Sequence, residues 1–197
     1  MKPSRESPFP VVRRADGRVM LWKNGGGSTL ELLREPGDHP DDPPALRVSI
    51  ADLTADGPFS TFPHVDRVIL LLEGAGVRLH FPDVEVTLDR PGAPFAFPGE
   101  VPCHCALLRG ATDDRPVRDL NLMVDRRRHR LDARALTDEA FEAPAEGARH
   151  LIVALGAEVA LTTPEGAAMT LARGDLAQPT GGGHVAGRAL LATITPA

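Results

Sequence analysis

The shortness of its apolar runs is what most limits how this chain can fold. None is longer than Val68–Leu72, and glycine, proline or a charged residue soon follows each. Such runs occur at Val11–Val12, Val19–Trp22, Ser28–Leu33, Leu46–Ala51, Val68–Leu72, Val77–Phe81, Val84–Leu88, Phe95–Phe97 and Val101–Leu108. Helix-period patterns are scarce. Short runs at this spacing, punctuated by 19 Gly and 19 Pro, predict an all-β barrel or sandwich. Prolines inside or beside the runs shorten strands and shield edges.

The connecting segments divide the chain. Pro36–Pro44, with three acids among its prolines, has nothing to bury and reads as a solvated loop. Thr112–Arg118 reads as a second polar loop. Arg126–Pro144 is charged and alanine-rich; a short helix is expected around Asp138–Glu142, and the seam between two halves falls here. Beyond it a strand, Gly-containing turn, strand pattern repeats: Val68–His80 in the first half, Leu151–Leu161 in the second. Two copies of one β-unit suggest a duplicated barrel. The expected division is an N-terminal barrel, residues 1–130, carrying the candidate pocket, and a shorter half, residues 131–197.

Charge narrows the partners. The formal net charge is -5 and no basic run exceeds Arg126–Arg128, so no nucleic-acid partner is expected. No apolar stretch approaches the ~20 residues of a membrane span. No apolar core follows the first basic residues, so a cytoplasmic protein with reduced thiols is expected. Cys103 and Cys105, two apart, read as small buried hydrophobes on one strand face. Among 22 basic residues only Lys2 and Lys23 are lysine; Trp22 is the one Trp, and Asn24 and Asn121 are the two Asn. Trp22, Lys23 and Asn24 persist side by side against a bias toward arginine.

The strand, glycine, strand unit resembles the cupin barrel, and two in series would make a bicupin. Metal-binding cupins hold iron, manganese or nickel on two His, a Glu and a further His. Counting back from Gly74, the Glu position falls on Arg67 and the paired His positions on Ser60 and Phe62, or on Thr61 and Pro63. Counting on from Gly92 and Pro98, the last His position falls on Cys103. His184, after Pro179-Thr180-Gly181, fits the second motif but lacks first-motif partners.

A closer resemblance covers most of the chain. Trp22-Lys23-Asn24-Gly25-Gly26-Gly27-Ser28-Thr29-Leu30-Glu31, Arg47–Ala51, Gly57–Arg67 and Asp119–Arg126 occur in the order and detail of the HutD/Ves family of small bicupins. His64 departs from the small residue more usual there, and Asp125 from the paired arginines. The resemblance implies an all-β bicupin and a protein acting around histidine utilisation. It also implies a carboxylate-bearing ligand such as N-formylglutamate or urocanate.

The residues are then read physically. Arg67 stands where a cupin's metal carboxylate would stand, and a buried guanidinium needs an anion. That anion is either a protein carboxylate, with Asp119 and Asp52 as candidates, or a ligand carboxylate held bidentately. Arg47 and Ser49 share a strand face, opposite Val48 and Ile50; inside a barrel that polar face lines a pocket, outside it meets water. The expected binding set is Lys23, Asn24, Thr29, Arg47, Ser49, Ser60, Phe62, Arg67 and Asn121. In it Arg67 and Arg47 clamp carboxylates, and Lys23 and Asn24 reach in from a Gly-rich hairpin. Ser49, Ser60 and Thr29 add hydrogen bonds, Phe62 packs on the ligand, and Asn121 reads a formyl or amide group. No catalytic residue, metal or cofactor is expected; the partner is a small carboxylate-bearing metabolite, with a homodimer as a further expectation. The rival is a metal-dependent cupin isomerase or dioxygenase, for which His64, His104, Cys103 and Cys105 are the available soft ligands.

Overall fold

The computed structural model describes residues 9–22, 25–108 and 116–197. Its first strands are β1 (Val11–Val12), β2 (Arg18–Leu21), β3 (Gly27–Glu35), β4 (Leu46–Leu53), β5 (Gly57–Pro58), β6 (Val65–Glu73), β7 (Val77–His80), β8 (Glu85–Leu88) and β9 (Phe95–Pro98). Then come β10 (His104–Leu107), β11 (Val117–Asp125), β12 (His129–Phe141), β13 (Arg149–Ala154), β14 (Glu158–Thr162), β15 (Ala168–Ala172), β16 (Leu176–Ala177) and β17 (Gly183–Pro196). A 3-10 turn at Arg14–Asp16 is the only helical element among the described residues.

The strands form three sheets. A six-stranded sheet runs β2-β3-β4-β11-β6-β9, a four-stranded one β5-β10-β7-β8, and a seven-stranded one β1-β16-β13-β17-β14-β15 with β12 paired to β17. The first two belong to the N-terminal half. The third holds the C-terminal half together with β1, whose Val11 and Val12 pair with Ala177 and Leu176. Asp175 anchors that crossing: its carboxylate receives the Arg13 guanidinium at 2.7 Å and the Arg14 N–H at 2.8 Å.

Period-two alternation sorts the core. On β4, β6 and β11 the even-numbered residues (Val48, Ile50, Val68, Leu70, Leu120, Leu122) pack against Leu151, Val153, Leu190, Ala192 and Ile194 of the seven-stranded sheet. The odd-numbered residues Ala51, Ile69 and Leu71 face the other way and pack against Val77, Leu79, Cys103 and Cys105 at the four-stranded sheet. The six-stranded sheet is therefore covered on both faces. That is why Val68–Leu72 reads as a continuous apolar run rather than an alternating one. A third cluster takes Ile152, Ala154, Val159, Leu161, Leu171, Val185 and Leu191 from the seven-stranded sheet, with Phe9. A cluster drawn almost wholly from one sheet requires that sheet to curl on itself.

The expected helix around Asp138–Glu142 is absent. Residues 138–141 continue β12, paired along its length with β17. The register shifts between Thr137 and Glu139, and Asp138 takes φ 51° there while its carboxylate accepts the Gly187 N–H at 2.7 Å. Local alanine content favours helix only weakly, and a long partner strand overrides it. The Pro36–Pro44 loop is tied down at its acids, with Arg128 to Asp38 at 2.7 Å and Arg127 to Asp42 at 3.3 Å.

Candidate functional site

A cavity of about 420 Å3 opens between the six-stranded sheet and the segment from Pro58 to Phe62. That size is typical of a small-molecule site. Its floor is the odd-numbered face of four adjacent strands, β3, β4, β11 and β6. Register builds it in rows: Thr29, Ala51 and Asp119 side by side, then Ser49 beside Asn121, then Arg47, Met123 and Arg67. Phe59 and Phe62 form the opposite wall. The wall is held by the Phe59 N–H on the Cys103 carbonyl at 2.9 Å and the Phe62 N–H on the Gly99 carbonyl at 2.8 Å. It ends at His64, whose φ of 65° lies in the left-handed region; this explains why a small residue suits that position.

Seven of the nine residues expected from sequence line this cavity: Thr29, Arg47, Ser49, Ser60, Phe62, Arg67 and Asn121. Lys23 and Asn24 lie outside the described residues. Next to them in sequence, the Trp22 N–H donates to the Gly27 carbonyl at 3.0 Å, where β2 pairs with β3. Gly27 is there by necessity, since a Cβ would sit 2.2 Å from the Asp52 carbonyl. Trp22 itself lines the cavity, and its indole N–H donates to the Thr29 hydroxyl at 2.8 Å. That leaves the hydroxyl proton of Thr29 to donate elsewhere.

Arg67 is 4% exposed. Its guanidinium lies 5.4, 5.7 and 4.8 Å from the ring centroids of Phe59, Phe62 and Phe97. Nε and one terminal nitrogen donate to Asn121 Oδ1 at 3.3 Å, and the other donates to the Ser60 carbonyl at 3.3 Å. So Ser60 serves Arg67 through its main chain, and Asn121 has its carbonyl engaged by Arg67. All three bonds are long, and among the described residues no carboxylate pairs with this cation. Asp52, one expected partner, pairs with Arg118 instead. Burial pulls Arg67 down to about 10, which leaves it charged at neutral pH. Arg47 is compensated, its Nε meeting Glu31 at 2.9 Å.

Asp119, the other expected partner, is fully buried and lines the cavity without pairing with Arg67. The Asn121 amide beside it favours the ionised carboxylate, yet neither oxygen receives a donor with hydrogen-bond geometry. Burial pushes this carboxyl up to about 7, against the opposing pull of Arg67. Trp22, Ala51, Pro58, Phe59, Asp119 and Met123 line the cavity but were absent from the expected set. The period-two rule would have found Ala51, Asp119 and Met123, which share faces with Ser49 and Asn121.

The donor set does not suit a divalent metal. Two guanidinium groups and one carboxyl face the cavity, with no imidazole among its lining residues. The soft-ligand cluster does not assemble either: Cys103 and Cys105 are buried while His104 between them and His64 are exposed. Burial raises the Cys103 thiol to about 11 and Cys105 further still, so both are protonated at neutral pH. Among the described residues no three His, Cys, Asp or Glu side chains gather to hold a metal. His184 is exposed on β17. Among the described residues no helix is long and apolar enough to cross a membrane.

Comparison with known proteins bears on this site. The HutD family model matches residues 14–192. A Pseudomonas putida protein described as an uncharacterized 21.2 kDa protein in the hutC 3' region is 41% identical over 127 residues, 63% of this chain and 62% of that one. Protein Ves of Cronobacter sakazakii is 39% identical over 132 residues, 62% of this chain and 64% of its own. The matches thus span a little under two thirds of these curated relatives. Among solved structures, HutD from Pseudomonas fluorescens SBW25, in a formate condition, has a TM-score of 0.81 at 31% identity, covering 96% of this chain and 99% of that one. A nickel(II) complex of an Escherichia coli pirin has a TM-score of 0.61 at 10% identity, covering 95% and 99%; it shows shared fold alone. Together with the sheets described above, these likenesses make the architecture an all-β, cupin-type fold.

Proposed function

The chain belongs to the HutD family, and from that membership together with the cavity we propose that it is a metal-independent binding protein for a small organic acid, with a regulatory role in histidine utilisation. One observation carries the reading. Arg67 is a buried cation to which no carboxylate of the described residues is bonded, Asp119 acting on it only through space. Stripping a guanidinium of water costs several kcal/mol unless an anion meets it. Three aromatic rings and three long hydrogen bonds repay part of that, at roughly 0.5–2 kcal/mol per cation–π contact. A ligand carboxylate docking from the cavity supplies the rest, in the bidentate geometry arginine favours.

The remaining groups fit a molecule the size of N-formylglutamate or urocanate. Thr29 and Ser49 offer hydroxyls, Arg47 a second cation partly held by Glu31, and Phe59 and Phe62 an apolar wall. A ligand of about a dozen heavy atoms at ~0.5 kcal/mol per atom binds with ~6 kcal/mol, a Kd in the tens of micromolar. That range suits a sensor of metabolite accumulation. Calorimetry and thermal-shift titration with N-formylglutamate, urocanate and glutamate test the proposal. Binding by one of the first two, lost in Arg67→Met, supports it. No heat and no thermal shift at millimolar ligand refute it.

A further inference from the structure

Carboxylate capture at Arg67 leaves one buried group of the cavity without a task. Asp119 has no exposed surface, neither of its oxygens receives a donor in hydrogen-bond geometry from the described residues, and it lines the same cavity as Arg67. An unsatisfied buried carboxyl of this kind is costly, and a fold keeps one where something else completes it. Its surroundings say what that something is.

Each neighbouring element offers Asp119 little. On its own strand, Asn121 presents its amide, with the amide carbonyl already taken by Arg67. From β6 comes the Arg67 cation, acting through space rather than by contact. β4 contributes the apolar Ala51 and the Ser49 hydroxyl, and Arg47 farther along, bound to Glu31 of β3. β3 also places Thr29 in the row of Ala51. From the four-stranded side come the protonated thiols of Cys103 and Cys105, with Asp56 acting on Cys105 beyond them. Among the described residues Arg67 is thus the one charge of opposite sign that acts on Asp119.

A ligand carboxylate at Arg67 removes that compensation. It brings a negative charge to the cation on which Asp119 depends. The carboxyl is then left as a buried anion facing a second anion, unless a donor or a proton reaches it. Distance sets where that donor belongs. Arg67 reaches Asn121, and Asn121 lies two residues from Asp119 on one strand face, ~7 Å along the backbone, with its amide beside the Asp119 carboxyl. A ligand spans that gap when its N–H lies a few bonds from its carboxylate.

We infer that Asp119 determines ligand specificity in this cavity: it accepts an N–H from a ligand that also carries a carboxylate, and it takes up a proton when a ligand without that donor binds. This rests on the reading of Arg67 as the carboxylate anchor. In the first case the ligand N–H hydrogen-bonds to an ionised Asp119 and no proton is exchanged with solvent. In the second, one proton passes from solvent to Asp119, whose O–H then faces the ligand.

A matched pair of probes separates these cases: N-acetylglycine, and acetoxyacetate, in which an ester oxygen replaces the N–H. Calorimetry at pH 8 in two buffers of different ionisation enthalpy gives affinity and protons taken up per ligand. Expected for the wild type is about tenfold tighter binding of N-acetylglycine, with little proton uptake. Acetoxyacetate is expected to take up close to one proton and to weaken about tenfold per unit as pH rises above that of Asp119. In Asp119→Asn the proton uptake vanishes and the preference shrinks to about threefold or less. The wild-type profiles stand as a test even if the variant folds poorly. Equal affinities and equal proton uptake for the two probes, both still lost in Arg67→Met, overturn the role of Asp119 and leave the anchor intact. A preference unchanged in Asp119→Asn does the same. Binding of neither probe at millimolar concentration overturns both readings.

Discussion

Replacing Asp119 with asparagine should make the protein more stable, by an amount that grows as pH rises. The carboxyl titrates near 3.8 when free and near about 7 in the fold, where burial disfavours its charge. Between those values the native state holds a proton that the unfolded chain has released. Native stability therefore falls as pH climbs through that window and levels off above it. Below the lower value both states are protonated and the group contributes nothing. At ~1.4 kcal/mol per unit the full shift, which already includes the attraction of Arg67, costs at most about 4 kcal/mol, and local relaxation brings the expected figure to about 2–4 kcal/mol. Asparagine has nearly the same shape and does not titrate. Urea unfolding at pH 5 and pH 8, followed by the fluorescence of Trp22 at the cavity wall, measures the difference. With a slope near 2 kcal/mol/M, the variant's midpoint should gain about 1–2 M over the wild type by pH 8 and clearly less at pH 5. His129 and His150, both held below their ordinary values by burial, titrate in both proteins and cancel in the comparison. A stability difference that is the same at pH 5 and pH 8, or one that shifts toward the wild type with rising pH, would falsify this account of Asp119.

Other substitutions test other parts of the fold. Glu31→Gln removes the carboxylate held 2.9 Å from Arg47; it should cost about 1–3 kcal/mol in chemical denaturation and tighten carboxylate binding several-fold, whereas weaker binding would show that Glu31 supports the ligand rather than restraining Arg47. Leu122→Ala opens a cavity between the six- and seven-stranded sheets at a side chain with no exposure, and should cost about 2–5 kcal/mol; a loss under 1 kcal/mol would mean the two halves are not packed through this face. His64→Gly should relieve about 1 kcal/mol of left-handed strain, while His64→Val should add to it, and equal melting temperatures for the two would refute the strain. Arg67→Met should abolish ligand binding with stability unchanged or raised, since a buried cation with no carboxylate bonded to it is replaced by an apolar side chain of similar length.

The strand positions were largely legible along the chain, because β-branched runs and Gly or Pro breaks act over a few residues. β4, β6 and β9 lie within a few residues of the runs read at Leu46, Val68 and Phe95. The segment at Asp138 was not legible: its pairing with β17 spans some fifty residues of sequence, and only that pairing outweighs its alanines. Among site residues, Thr29, Arg47, Ser49 and Asn121 could be named from motif and alternation. Alternation also puts Asp119 on the face of Asn121, but its lack of a bonded partner was not legible, since nothing local says that Arg67 will be carried past it to Asn121 and Ser60.

Alternation alone determined that Arg47 and Ser49 share one face and Val48 and Ile50 the other, because side chains on an extended backbone must point to opposite sides. Which face turns inward was a tertiary matter. Val48 and Ile50 are covered by residues from β13 and β17, a hundred and more positions away, while Arg47 and Ser49 look into the cavity roofed by Phe59 and Phe62. The same distant packing sends Asp52 to Arg118 and leaves Arg67 and Asp119 as opposite charges in one cavity without a direct bond between them. A strand's pattern is written in adjacent residues; which charges compensate one another is decided by the sheets that fold over them.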